Sequence, residues 1–113
     1  MKSLILAGMI GILATGAFAH SPLTSTTPQN ETVVTEVPEE IMLNFKGKIR
    51  LTRVEMIHSE TSGVNLDLSS HKGFVSEYVV PLQDMGDGHY LIEWRGLGAD
   101  GHALNGSFSF TVQ

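Results

Sequence analysis

Large apolar residues recur at every second position in this chain, in runs too short for anything but strands. In Phe108-Ser109-Phe110-Thr111-Val112 the even positions are apolar throughout; in Ile41-Met42-Leu43-Asn44-Phe45 the odd positions carry the largest side chains; in Tyr90-Leu91-Ile92-Glu93-Trp94 the even ones do. A helix would bring apolar residues back at spacings of three and four, and no stretch beyond the amino-terminal twenty residues does so. Each run therefore buries one face. Further strands are expected at Ile49 to Ile57, Val64 to Leu68 and Phe74 to Val80, a weaker one at Thr32 to Thr35, and an edge strand within Ser21 to Pro28.

Turn-forming residues separate these runs: Lys46-Gly47-Lys48, Ser62-Gly63, Met85-Gly86-Asp87-Gly88, and Gly96 to Gly101. Short alternating strands at such regular intervals predict an all-β fold, a sandwich of two antiparallel sheets. Met85 to Gly88 is expected at the tip of a hairpin joining Phe74–Val80 to Tyr90–Arg95.

The first nineteen residues follow another pattern. Lys2 supplies a positive end, Leu4 to Leu13 an apolar stretch, and Ala17-Phe18-Ala19 the small residues a signal peptidase needs. Residues 1–19 are expected to be a cleaved secretory signal peptide. That leaves residues 20–113 as one small exported domain beginning with His20. The chain has no cysteine, so packing or a bound metal must do what disulfides often do for small exported domains. Without Lys2, six basic side chains face twelve acidic ones. That balance argues against nucleic acid or an anionic lipid surface as partner and suits a cation.

A histidine at a chain terminus differs chemically from one inside. Its free amine, with an unperturbed pKa of about 7.7–8.0, can bind a metal together with its own imidazole Nδ1 and close a six-membered chelate ring. Such nitrogen donors suit copper(II). A terminal site built from deprotonated backbone amides is excluded, because the third mature residue would be Pro22, which has no N–H.

Further donors come from two identical triplets, Asp87-Gly88-His89 and Asp100-Gly101-His102. In extended backbone, residues two apart point the same way at about 6.6 Å, so either triplet could aim a carboxylate and an imidazole at one ion. Antiparallel strands would place the two at opposite ends of the sandwich. Local spacing does not choose between them.

The terminal histidine, Ser25-Thr26-Thr27-Pro28, the Ile41-to-Phe45 strand, Gly88 to Arg95 with its Tyr90 and Trp94-Arg95, and the run from Asp100-Gly101-His102 to Phe110 resemble, in order and spacing, the CopC family of periplasmic copper-binding proteins. The resemblance covers essentially the whole mature chain. It implies a seven-stranded Greek-key β-sandwich, cupredoxin-like in topology, with copper(II) held by His20, Asp100 and His102. It also implies a carrier that buffers copper and passes it to a membrane transporter of the CopD type, with no catalysis of its own. Two features depart from the family pattern. Met42, Met56 and Met85 are scattered where some relatives carry a methionine-rich copper(I) segment, and Phe45-Lys46-Gly47 stands where relatives commonly have Phe-Ser-Glu.

Two other functions compete. A histidine-braced copper enzyme acting oxidatively on polysaccharide needs an open coordination position and a broad substrate face, for which a domain with one Trp and two Tyr has little material. A metal-free adhesion module is the other, since sandwiches host many binding functions. Met56, His58 and His71 form a conceivable weak second metal site, against the plainer reading of a core methionine and two exposed histidines. Trp94 continues the inward face of Tyr90 and Ile92 and is expected in the core.

Overall fold

The computed structural model describes residues 22–113, and the signal-peptide expectation and His20 lie outside them. Seven strands account for the regular structure of these residues: β1 Leu23–Thr27, β2 Thr32–Val34, β3 Glu40–His58, β4 Val64–Asn65, β5 Val75–Pro81, β6 Gly88–Gly98 and β7 Ala103–Val112. The described residues contain no helix, and so none long and apolar enough to cross a membrane.

β3 organises everything else. Its first half pairs antiparallel with β1 on one side and β5 on the other; its second half pairs with β6 and, over two residues, with β4. β6 continues the sheet to β7. β2 closes it as a parallel neighbour of β7, where the sequence pattern predicts only antiparallel pairs. The strand folds the layers onto each other at Phe45–Ile49, where its register with β5 jumps from Asn44↔Glu77 to Ile49↔Val75. Lys46-Gly47-Lys48, expected as a turn between two strands, is this exposed bend inside one strand. The backbone keeps its strand pairing on either side because the apolar alternation resumes at Ile49 and Leu51.

Between the layers lies the core. Ile41, Leu43, Phe45, Tyr78 and Val80 from one layer meet Val54, Met56, Tyr90, Ile92, Trp94, Phe108 and Phe110 from the other, all at most 5% exposed. Phe45 meets the Trp94 ring edge-on at 5.1 Å between centroids, and Tyr90 stacks on Phe110 at the same separation. Trp94 is thus a core residue, as its alternation indicates. Its indole fits because position 106 is glycine: a Cβ there would lie 2.9 Å from the ring.

Gly96 and Gly98 read as turn residues in sequence, yet both belong to β6. Gly96 faces the bulge at Leu51–Arg53, where a Cβ would lie 2.8 Å from the Arg50 carbonyl oxygen. Close approach of two backbones, not a change of direction, requires that glycine. The expected hairpin between β5 and β6 does not form, because both pair with β3, and residues 82–87 cross from one layer to the other. That loop is anchored by the Tyr90 hydroxyl, which accepts from the Met85 N–H and donates to the Gly86 carbonyl. Val64–Asn65 is all that forms of the expected strand from Val64 to Leu68.

The sandwich has two distinct ends. At one lie the β3 bend, the start of β1, and the turn between β6 and β7. At the other lie Glu40, Pro81, the 82–87 loop, His58 and the start of β6.

Candidate metal centre

β6 and β7 form a hairpin whose last pair is Leu97↔Ala103. Residues 99–102 turn between them, closed by Gly98 N–H to the His102 carbonyl and Gly101 N–H to the Gly98 carbonyl, both at 2.9 Å. Gly101 sits at φ +90°, a conformation that side chains disfavour. The turn aligns Asp100 and His102. One Asp100 oxygen accepts from the His102 backbone N–H at 3.0 Å, and the other lies 2.8 Å from His102 Nδ1. A carboxylate can only accept, so Nδ1 carries the proton and Nε2 remains as the ring's metal-binding nitrogen. Gly98 makes room for this arrangement, since a Cβ there would lie 3.0 Å from Asp100 Oδ1.

Both side chains face water, His102 82% and Asp100 68% exposed. The backbone hydrogen bond from His102, then the side-chain bond, holds the Asp100 carboxyl below the usual carboxylate range. The hydrogen bond to Asp100, reinforced by its charge, raises His102. The pair is a pre-oriented imidazole and carboxylate, two donors at the surface. Among the described residues no three His, Cys, Asp or Glu side chains converge as a metal-holding group. Any further donor to an ion here must come from elsewhere.

The start of β1 lies at this same end. Leu23 pairs with Phe45, and the Pro22 carbonyl accepts from Lys46 N–H at 2.7 Å. Three residues on, Ile49 pairs with Gly98, the residue from which the 99–102 turn departs. The other triplet is at the far end. There Gly88 has φ +133°, the Asp87 carbonyl accepts from His58 Nε2 at 2.8 Å, and His89 pairs with Thr111 in the β6–β7 ladder.

Met56, His58 and His71 do not assemble. Met56 is 1% exposed in the core. His58 shares its strand face but packs on Tyr90 and is tied to Asp87. His71 packs on Tyr78, with Nε2 at the backbone of Val79 on β5. Sequence spacing missed Gly98 and the Pro22–Lys46 contact. The first hid among turn glycines, and the second depends on a tertiary pairing with no local signature.

Comparison with known proteins decides the family. The CopC domain model matches residues 23–113. This chain is a member of the CopC family. It is similar to "Copper resistance protein C" of Escherichia coli, with 27% identity over 99% of this chain and 96% of that protein. Among solved structures it resembles PcoC of Escherichia coli, described as a methionine-rich copper resistance protein (25% identity, TM-score 0.57, covering 83% of this chain and 99% of that one). It also resembles CopC of Methylosinus trichosporium OB3b (24% identity, TM-score 0.68, 83% and 94% covered), a likeness of fold. The CopC-type β-sandwich expected from the sequence is the fold observed. Membership makes this a copper-resistance-type protein.

Proposed function

We propose that the mature protein is a periplasmic copper(II) carrier whose ion is held by the His20 amine and imidazole, the His102 imidazole and an Asp100 oxygen. The observation that carries this reading is the hydrogen-bonded Asp100–His102 pair at the end of the sandwich where β1 begins. His20 is two residues from Pro22, a reach of at most about 7 Å, so a terminal chelate is tethered close to the turn. Tethering raises its effective concentration there. Three nitrogens and one oxygen suit the tetragonal preference of copper(II). An Asp100 oxygen bonded to His102 Nδ1 lies across the ring from Nε2, so sharing one ion requires the exposed Asp100 side chain to exchange that hydrogen bond for the metal.

Copper is the cargo, and transfer needs only binding and release. The exposure of His102 and Asp100 leaves the ion reachable by an acceptor's ligands, which supports delivery to a membrane transporter of the CopD type. The test is copper(II) titration with electron paramagnetic resonance on protein beginning at His20, and on protein carrying one extra alanine before it. Loss of the terminal chelate should weaken binding and change the nitrogen pattern of the spectrum. Equal affinity and an unchanged spectrum would refute the ligand set.

A further inference from the structure

Six basic side chains lie in the described residues, all exposed, and they are not spread evenly. Lys46 and Lys48 sit on the β3 bend. Arg50 pairs with Leu97 and Arg53 with Arg95, on the half of β3 leading away from that bend. Lys72 precedes Gly73, whose carbonyl is bonded to the Tyr78 hydroxyl that also reaches Ile49. All six belong to the half of the molecule that carries Asp100 and His102. Glu39, Glu40, Glu60, Asp84 and Asp87 cluster at the other end. Of the six basic side chains, only Arg53 joins an ion pair within the described residues, with Glu55 at 3.5 Å, and its Nε also donates to Asn65 Oδ1 at 3.0 Å.

Two of these cations line a groove of about 550 Å³ on the outer face of β3, β6 and β7, running from Leu97 and Ala103 beside the 99–102 turn to Glu93 and Ser107. Arg53 and Arg95 stand directly opposite each other in the β3–β6 register, and Glu55 opposes Glu93 one repeat further on. Like charges directly across strands are destabilising. The fold thus holds a double-arginine row toward the turn and a double-glutamate row away from it. Alongside, β2 covers only Phe110–Val112 of β7, and the described residues place no strand beside Ala103–Phe108. Backbone donors and acceptors of that edge are open to an extended chain.

We infer that this groove docks an acidic polypeptide segment, whose carboxylates pair with Arg53 and Arg95 and whose backbone runs along the open edge of β7. A guanidinium pair suits carboxylates in a fork geometry. The concave floor and open strand edge fit a chain, where a flat lipid surface reaches neither. Glu55 and Glu93 at the groove's far end repel a second carboxylate and set the direction of entry from the turn side. Docking so close to Asp100 and His102 brings a partner to the candidate metal centre, yet the groove requires no bound copper.

The test uses isotope-labelled, copper-free mature protein at low salt, titrated with a blocked triglutamate peptide and followed by amide chemical shifts. Shifts are expected at Arg95, Leu97, Ala103 and Asn105, weakening with added salt. Arg95→Gln should lower affinity about tenfold, the scale of one charge-assisted hydrogen bond. Lys46→Gln, which removes the same charge outside the groove, should change it little. Arg53→Gln repeats the experiment should Arg95→Gln fail to fold, judged by its amide spectrum. Equal losses in Lys46→Gln and Arg95→Gln, or no shift in the groove, would overturn the inference. So would binding to phosphatidylglycerol vesicles without binding to the peptide. Copper affinity is measured in parallel: a copper-binding failure with intact peptide binding would sink the metal assignment and leave the groove standing.

Discussion

The tripeptide Asp-Gly-His occurs once at each end of the sandwich and makes a different structure at each. At Asp87–His89 it leads into a strand: Gly88 takes φ +133°, Asp87 offers its backbone carbonyl to His58, and His89 enters the ladder opposite Thr111. At Asp100–His102 it is the turn itself, with Gly101 at φ +90° and the two side chains bonded to each other. Composition is the same, and the supporting backbone decides. In the second case Gly98 donates one of the turn's hydrogen bonds, accepts the other, and leaves space for the Asp100 carboxylate.

The sharpest way to break this contrast is by deletion of each imidazole. His102→Ala should weaken copper(II) binding by about a hundredfold or more, beyond the range expected for removing a supporting group alone, with one nitrogen lost from the resonance spectrum. His89→Ala should leave affinity and spectrum unchanged, and the reverse outcome would assign the metal to the wrong end.

Stability should rank the two glycines in the opposite order. Alanine at 88 meets a disfavoured φ and lies 2.7 Å from His58 Nε2 and Ser59 Oγ, so Gly88→Ala is expected to cost about 3 kcal/mol. Alanine at 101 meets open space at φ +90°, and Gly101→Ala should cost about 1 kcal/mol. Urea unfolding of the metal-free variants measures both, and equal costs would show that the packing around Gly88 is softer than its contacts imply.

A finer probe is pH. His102 is raised by its bond to Asp100, so that bond's contribution to stability is complete below the ordinary histidine value and is lost as pH rises through the folded one. Asp100 is lowered, so its contribution is present above the ordinary carboxylate value and is lost as pH falls through the folded one. Copper needs a neutral His102 ring, and its apparent affinity should therefore fall with acidification through His102's raised pKa. In Asp100→Asn, histidine ring resonances should show His102 titrating at lower pH than in the parent protein. An unmoved midpoint would deny the hydrogen bond in solution.

Alternation made the strands legible, since Ile41, Leu43 and Phe45, then Phe108, Phe110 and Val112, are buried as their spacing requires. The opposite-ends placement of the two triplets also followed from strand direction alone. What the pattern concealed were glycines and neighbours. Gly47 and Gly96 carry a turn signature whether the chain reverses, bends within a strand or admits another backbone, and only the partner strand distinguishes these. β5 and β6 read as a hairpin because they are consecutive, yet each pairs with β3 instead. The net negative charge suited a cation, and it masked a molecule whose basic residues share one half. The Asp100–His102 pair came from resemblance, for the two triplets were equal on spacing.

One strand, β3, belongs to both layers. Pulling it from β1 and β5 also disturbs β6, so the layers have little freedom to open separately, and unfolding should be a single cooperative event. The anchoring of Pro22 beside Lys46 and the turn at 99–102 depend on successive halves of that shared strand, one on each side of its bend. A ligand bridging the two halves would act as a rivet across the hinge line, and its occupancy would register as resistance of the entire domain to denaturation.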